Sequence, residues 1–219
     1  MNVRVSVSAI DSWRYWAAQE DSEIENLLSQ LRGETPQSEP MRVGSALHLA
    51  LEQAQSGTFV SLEANGYSFF VQPGLEITLP EIRELKMECE YVLSPLLTIT
   101  LVGKVDAMYG KTVYDHKTTR RFDAEKLTDT YQWRHYLNMA RADCFVWNVF
   151  TLQDSTLDPT EYTISDLQIV AQYRYPGLEE DCLRNMRDFA EFLGLATMRA
   201  PADSCTLQAL LKANLMKAI

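Results

Sequence analysis

Asp115 and Lys117 stand two residues apart in Lys111-Thr-Val-Tyr-Asp-His-Lys-Thr-Thr119, a run with the β-branched and aromatic content of a strand. Side chains alternate faces along a strand, so this carboxylate and ammonium project to one side and His116 to the other. Upstream, Asp106 closes Gly103-Lys-Val-Asp, and Gly110 supplies a turn between two strand-like runs. A tight hairpin brings Asp106 beside the Asp115–Lys117 pair. Two carboxylates this close repel each other, and a divalent cation supplies the compensating charge. Hard oxygen donors suit Mg²⁺ or Mn²⁺. Such an ion polarises a phosphate oxygen and acidifies water, while a nearby ammonium stabilises charge developing in the transition state. The chemistry expected of Asp106, Asp115 and Lys117 is therefore phosphodiester hydrolysis. The plain alternatives are a surface ion pair for Asp115–Lys117 and a turn-starting role for Asp106.

These residues need elements to hold them. Ser8 is a candidate N-cap for a helix over 9–31, with Ile10, Trp13, Trp16 and Ala17 at helical spacing and Gly33 after its end. A loop over 34–40 leads to a second helix over 41–55, with Val43, Leu47, Ala50, Leu51 and Ala54. Asn65-Gly66 between two β-prone runs predicts a hairpin, read as an insertion over 58–72. Residues 80–87 read as a short helix or turn, and strands follow over 88–93, 98–108 and 112–117. Then come a helix over 123–142, strands over 143–152 and 161–173, and an amphipathic helix over 177–195. Pro201 breaks the chain, and a helix over 205–217 completes a C-terminal tail over 200–219. The pattern is mixed α/β: a central mixed sheet flanked by helices, in a single domain over 1–219.

Gly103-x-x-Asp106 followed by Asp115-x-Lys117-Thr-Thr resembles the second and third motifs of the RecB-like branch of the PD-(D/E)XK nucleases. Gly44-Ser-Ala-Leu-His48-x-x-Leu-Glu52 resembles that branch's helical His motif, and Gln132-Trp-Arg-His-Tyr136 its Gln-x-x-x-Tyr motif. The opening Ser6-x-Ser8 segment fits as well, so the resemblance spans roughly residues 5 to 195. It implies a restriction-endonuclease-like core. It implies His48, Asp106, Asp115 and the His116 backbone carbonyl as metal ligands, and Gln132 and Tyr136 on one helix face near DNA. Relatives often carry a Glu on the strand before Gly-x-x-Asp, which makes Glu88 or Glu90 a candidate supporting acid. A solvated strand face explains those two equally well. Arg120 and Arg121, directly after the Asp-x-Lys strand, are candidate phosphate contacts, with ordinary surface charge as the alternative. Some relatives hold an iron–sulfur cluster on four cysteines. Cys89, Cys144, Cys182 and Cys205 lack the required C-terminal trio, so no cluster is expected.

Bulk properties narrow the function classes. A chain of 219 residues, 46% hydrophobic, buries one sizeable core. It lacks a membrane-length apolar run and an evident secretory leader, and its cysteines read as reduced thiols. The expected setting is the cytoplasm of a bacterium or a phage-infected host, without a membrane partner. The formal charge of −10 argues against a protein coated in phosphate contacts. Residues 103–141, however, hold eight basic and five acidic residues, a net +3 that leaves −13 for the rest. A positive patch in an acidic body can hold a phosphate backbone locally. The expectation is a metal-dependent DNA nuclease, an exonuclease serving recombination, repair or phage DNA processing, that works as a homo-oligomer or with a partner protein. The alternative is a non-catalytic DNA-binding or protein-assembly subunit with an acidic surface.

Overall fold

A computed structural model describes residues 1–19, 23–55, 59–77 and 79–194, together with the backbone of 205–206. Strand β1 (Asn2–Ser6) runs directly into helix α1 (Val7–Ala17). Ser6, rather than Ser8, caps that helix, its hydroxyl accepting from the Ala9 N–H at 3.1 Å. The expected long helix over 9–31 is two helices, α1 and α2 (Ile24–Arg32). The break lets Trp13 and the Leu27, Leu28 and Leu31 stripe reach the same core. Helix α3 (Glu39–Gln53) and the hairpin of β2 (Ser61–Ala64) and β3 (Tyr67–Val71) follow.

The stretch read as a helix or turn over 80–87 is strand. Ile82–Ser94 forms β4, paired antiparallel with β5 (Leu97–Tyr109). Glu-Ile-Arg-Glu-Leu-Lys-Met-Glu has high helix propensity, but pairing along the whole of β5 overrides it. Next come β6 (Thr112–Thr119), α4 (Ala124–Thr128), α5 (Gln132–Ala140), β7 (Cys144–Asp154), β8 (Glu161–Tyr173) and α6 (Leu178–Phe192). The expected helix over 123–142 is thus interrupted between α4 and α5. Cys205 and Thr206 form a two-residue strand, β9, on β1 instead of opening a helix. The remainder of the tail predicted over 200–219 lies outside the described residues.

The strands form one mixed sheet in the order β2-β3-β8-β7-β6-β5-β1-β9, with β4 on the far edge of β5. Helices α1, α2, α5 and α6 cover one face. Helix α3 covers the other face over β3, β7 and β8. Strand β7 is buried on both sides, with Phe145, Trp147 and Val149 in the first core and Phe150 and Leu152 in the second. That accounts for its unbroken apolar run. Among the described residues, no helix is long and apolar enough to cross a membrane.

The two edges of β5 are used unequally. Strand β4 runs along one of them from Leu97 to Met108. On the other, β1 pairs in parallel with Thr98–Val102 and β6 pairs antiparallel with Ala107–Tyr109. Residues 103–106 face a gap between these two strands.

Candidate active site

The gap on β5 is where the chemistry-bearing residues meet. Asp106 is the last residue of the gap, and Asp115 follows Tyr114, the last β6 residue paired with β5. Beyond this point β6 continues on β7 alone. The two strands fork, and Asp106 fills the fork: its Oδ2 accepts the His116 backbone N–H at 2.6 Å. Asp115 is only 5% exposed. Its Oδ1 accepts from Gln132 Nε2 at 3.2 Å, and its Oδ2 meets Lys117 Nζ at 2.6 Å. Buried Oδ2 has no partner besides this ammonium. A buried carboxylate oxygen in this condition has a free lone pair to offer a cation.

His48 arrives from the α3 side, its Nδ1 3.4 Å from Asp106 Oδ2. Gly44 permits this approach. A Cβ there would lie 3.2 Å from Thr118 Oγ1, so the first turns of α3 sit close against β6. His116 points to the same side, its ring 6.1 Å from that of His48. A cleft of about 600 Å³ opens over these groups, lined by His48, Glu52, Glu84, Lys104, Asp106 and Lys117 among others.

The β4 acid that lines the cleft is Glu84. Glu88 is bound to Arg4 and exposed, and Glu90 is also exposed. Neither lines the cleft. Glu84 does, from the β4 position opposite Asp106, with a positive φ of 53° that interrupts the pairing there. Such a φ is unusual for a residue with a side chain and marks a locally strained strand. Its partner is Lys104, and its Oε2 is buried without a well-aligned hydrogen bond.

Gln132 and Tyr136, one turn apart on α5, have different tasks. Gln132 holds Asp115, as described. Tyr136 is buried, so it forms the wall behind the site and is not a substrate contact in this geometry. Its hydroxyl donates to the Lys104 carbonyl at 2.9 Å, taking the place of a missing strand in the β5 gap. Its ring occupies the space that a Cβ on Gly103 would need, at 2.5 Å from Cε1. The two motifs therefore interlock: Gly103 admits Tyr136, and Gln132 steadies Asp115. A further residue, Asp11 of α1, holds α5 in place. Its Oδ1 accepts the N–H groups of Tyr131 and Gln132 at 2.9 and 3.0 Å. No sequence signal connects residues 120 positions apart.

The charges are interdependent. Burial disfavours the Asp106 carboxylate, but His48 and the His116 N–H outweigh it and hold the pKa below its ordinary value. Burial, aided by Asp106, pushes Asp115 up against the pull of Lys117. Lys117 is raised because Asp115, Asp106 and Asp11 overcome its own desolvation. For His48, too, burial opposes the charge, and Asp106 reverses the balance and raises the pKa. Burial lowers His116 to about 4, so that ring is neutral. Burial also pushes Asp11 up to about 6.

Arg120 is ion-paired with Asp154 at 2.8 Å, outside the cleft. The Arg121 side chain is exposed, while its backbone N–H and carbonyl bind the Thr119 hydroxyl. Among the described residues, no group of three or more His, Cys, Asp or Glu side chains is arranged so that it could hold a metal ion. The donor set nevertheless fits a hard divalent cation. Asp106, Asp115 and Glu84 offer carboxylate oxygens and His48 a ring nitrogen, and two of the carboxylates have a buried oxygen short of hydrogen bonds.

No family model matches the sequence, and no curated protein matches it. Solved structures do resemble it. The crystal structure of SSO0001 superposes with a TM-score of 0.51 over 91% of this chain and 79% of that one, at 15% identity. That likeness is one of fold. An alkaline exonuclease from Laribacter hongkongensis gives a TM-score of 0.44 over 99% of this chain and 95% of that one, at 10% identity. At that score the likeness carries no weight.

Proposed function

We propose that this protein is a metal-dependent DNA nuclease with a RecB-like PD-(D/E)XK core. The observation that carries the reading is the fork between β5 and β6. It brings Asp106 and Lys117 to one cleft, with buried Asp115 directly against Lys117. Asp106, Asp115, His48 and the His116 carbonyl would hold Mg²⁺ or Mn²⁺, with Glu84 in the supporting position first sought at Glu88 or Glu90. When bound, the ion supplies Lewis acidity toward a phosphodiester oxygen and toward water.

The chain's own residues do the rest. Lys117, kept protonated by three carboxylates, places a positive charge where the non-bridging oxygens gain negative charge. Its Nζ also donates a hydrogen bond that orients a water for in-line attack. Gln132 fixes the rotation of Asp115, and the His116 N–H fixes that of Asp106, so neither carboxylate needs to reorganise during the reaction. His48 neutralises part of the charge on Asp106 before a cation arrives.

End-labelled linear and closed circular DNA, incubated with Mg²⁺ or Mn²⁺, test this directly. The wild type is expected to degrade linear DNA, and Asp115→Ala or Lys117→Ala to lower the rate by roughly 100-fold or more. Survival of the circles makes the enzyme an exonuclease. Absence of cleavage with either metal would leave the non-catalytic binding or assembly reading in its place.

A further inference from the structure

Beside the catalytic cleft, α1 and α5 carry a stack of alternating rings and guanidiniums for which hydrolysis itself has no use. Arg134 lies 4.4 Å from the Trp133 ring centroid and 4.8 Å from that of Tyr131. Arg14 lies 4.9 Å from the Tyr131 centroid and 5.7 Å from that of Trp13. Both tryptophans are buried and anchor the ends of the stack, while Arg14 is exposed. Next to it, the Tyr15 ring is 73% exposed. Neither Arg14 nor Arg134 forms an ion pair among the described residues.

Of these groups, Arg14 and Tyr15 border a groove of about 440 Å³. Its walls are Asp11, Arg14 and Tyr15 from α1, and Lys126, Asp129 and Thr130 from α4 and the turn that follows. The groove and the cleft have no lining residue in common, but Asp11 in the groove wall ties the two together. Asp11 caps the Gln132 N–H, Gln132 holds Asp115, and Asp11 lies within the electrostatic reach of Lys117.

We propose that this groove binds the single-stranded segment of the nucleic acid that adjoins the scissile phosphodiester. A base stacks on Tyr15, and phosphates meet Arg14 and Lys126. The assignment rests on the nuclease reading above. The chemistry favours a single strand because an exposed ring needs an unpaired base face, which a stacked duplex does not present. Asp11 and Asp129 balance Arg14 and Lys126, so the groove carries no net formal charge, and Lys126 must leave Asp123 to meet a phosphate. Stacking must then supply more of the binding than charge.

The test is fluorescence anisotropy of the full chain in EDTA, with a labelled oligothymidine or a blunt duplex of equal length. The strand is expected to bind more tightly than the duplex. Tyr15→Ala should weaken strand binding roughly tenfold, with Tyr15→Phe close to wild type, and leave duplex binding and the melting temperature unchanged. Lys126→Ala, at an exposed position, should lower the salt slope for the strand by about 0.7. Unchanged strand binding by Tyr15→Ala, or an equal loss on the duplex, would overturn the proposal. Because the readout needs no cleavage, a protein that binds the strand but never cuts would sustain the groove and sink the nuclease. One that cuts but ignores Tyr15 would do the reverse.

Discussion

A methyl group at position 103 would sit 2.5 Å from Tyr136 Cε1 and 3.1 Å from Val7 Cγ2. Neither neighbour can yield cheaply. Tyr136 is tethered through its hydroxyl and stacked on Phe145, and Val7 begins α1 inside the core. Gly103→Ala is expected to cost about 1–3 kcal/mol by overpacking, read as a lower urea midpoint. Tyr136→Phe should cost about 1 kcal/mol, because the Lys104 carbonyl loses its donor. A stability unchanged by Gly103→Ala would mean that the ring does not fill the gap. At this scale the sequence was most readable where alternation alone decides the outcome, as for Asp115, Lys117 and His116. It was less readable for Tyr136, whose identity as an aromatic with a polar tip gave no hint that it stands in for a strand. It failed for Glu84, since no local pattern foretells a positive φ within a strand.

Among the elements, α5 positions more of the site than any other helix, yet it starts without a side-chain cap of its own. Asp11 supplies the cap from α1. Asp11→Ala is expected to cost about 1 kcal/mol and to lower cleavage further than that loss explains, because Gln132 is the second residue released. Asp11→Asn keeps an acceptor oxygen and should retain most of the stability. Urea denaturation paired with initial cleavage rates separates the two effects. Equal behaviour of the Ala variant and the wild type in both assays would remove Asp11 from the positioning scheme. This tie also explains why the helix predicted over 123–142 is interrupted. Asp129-Thr-Tyr131 contains neither Gly nor Pro, and a distant carboxylate, not a breaker, sets the restart. The hairpin at Asn65-Gly66 and the strands β5 to β8 were legible because their turn residues and periodicity are local. The β4 strand was not, since its conformation is decided by its partner.

For the molecule as a whole, acid should act first through buried histidine. His135 is fully buried, with Nε2 2.9 Å from Asn185 Oδ1 and Nδ1 3.3 Å from the Tyr91 hydroxyl. Burial lowers its pKa to about 4, against about 6.5 in an unfolded chain. Above pH 6.5 both states are neutral and the folded protein has its full stability. As pH falls from there toward 4, the unfolded chain takes up the proton first and stability declines. Below about 4 the folded state protonates too, and this contribution levels off. His135→Gln should therefore be less stable at pH 7 but lose less between pH 7 and pH 5 than the wild type. Equal losses in urea titrations at the two pH values would show that His135 does not drive the decline. Mixed α/β architecture with helices on both faces followed from the alternation of apolar periods. The strand order did not, because four parallel pairings join segments far apart in the chain.

The gap on β5 also restricts how this sequence could diverge. Four residues separate Val102, the last partner of β1, from Ala107, the first partner of β6. Their side chains alternate between the helix-covered core and the cleft, so Val105 and Asp106 occupy opposite faces. Adding or removing one residue would turn the far half of the strand over, burying the carboxylate and exposing the valine. Length change in this stretch is tolerable only in steps of two. Even then it would move Asp106 along the strand by about 7 Å relative to Gly103 and its tyrosine.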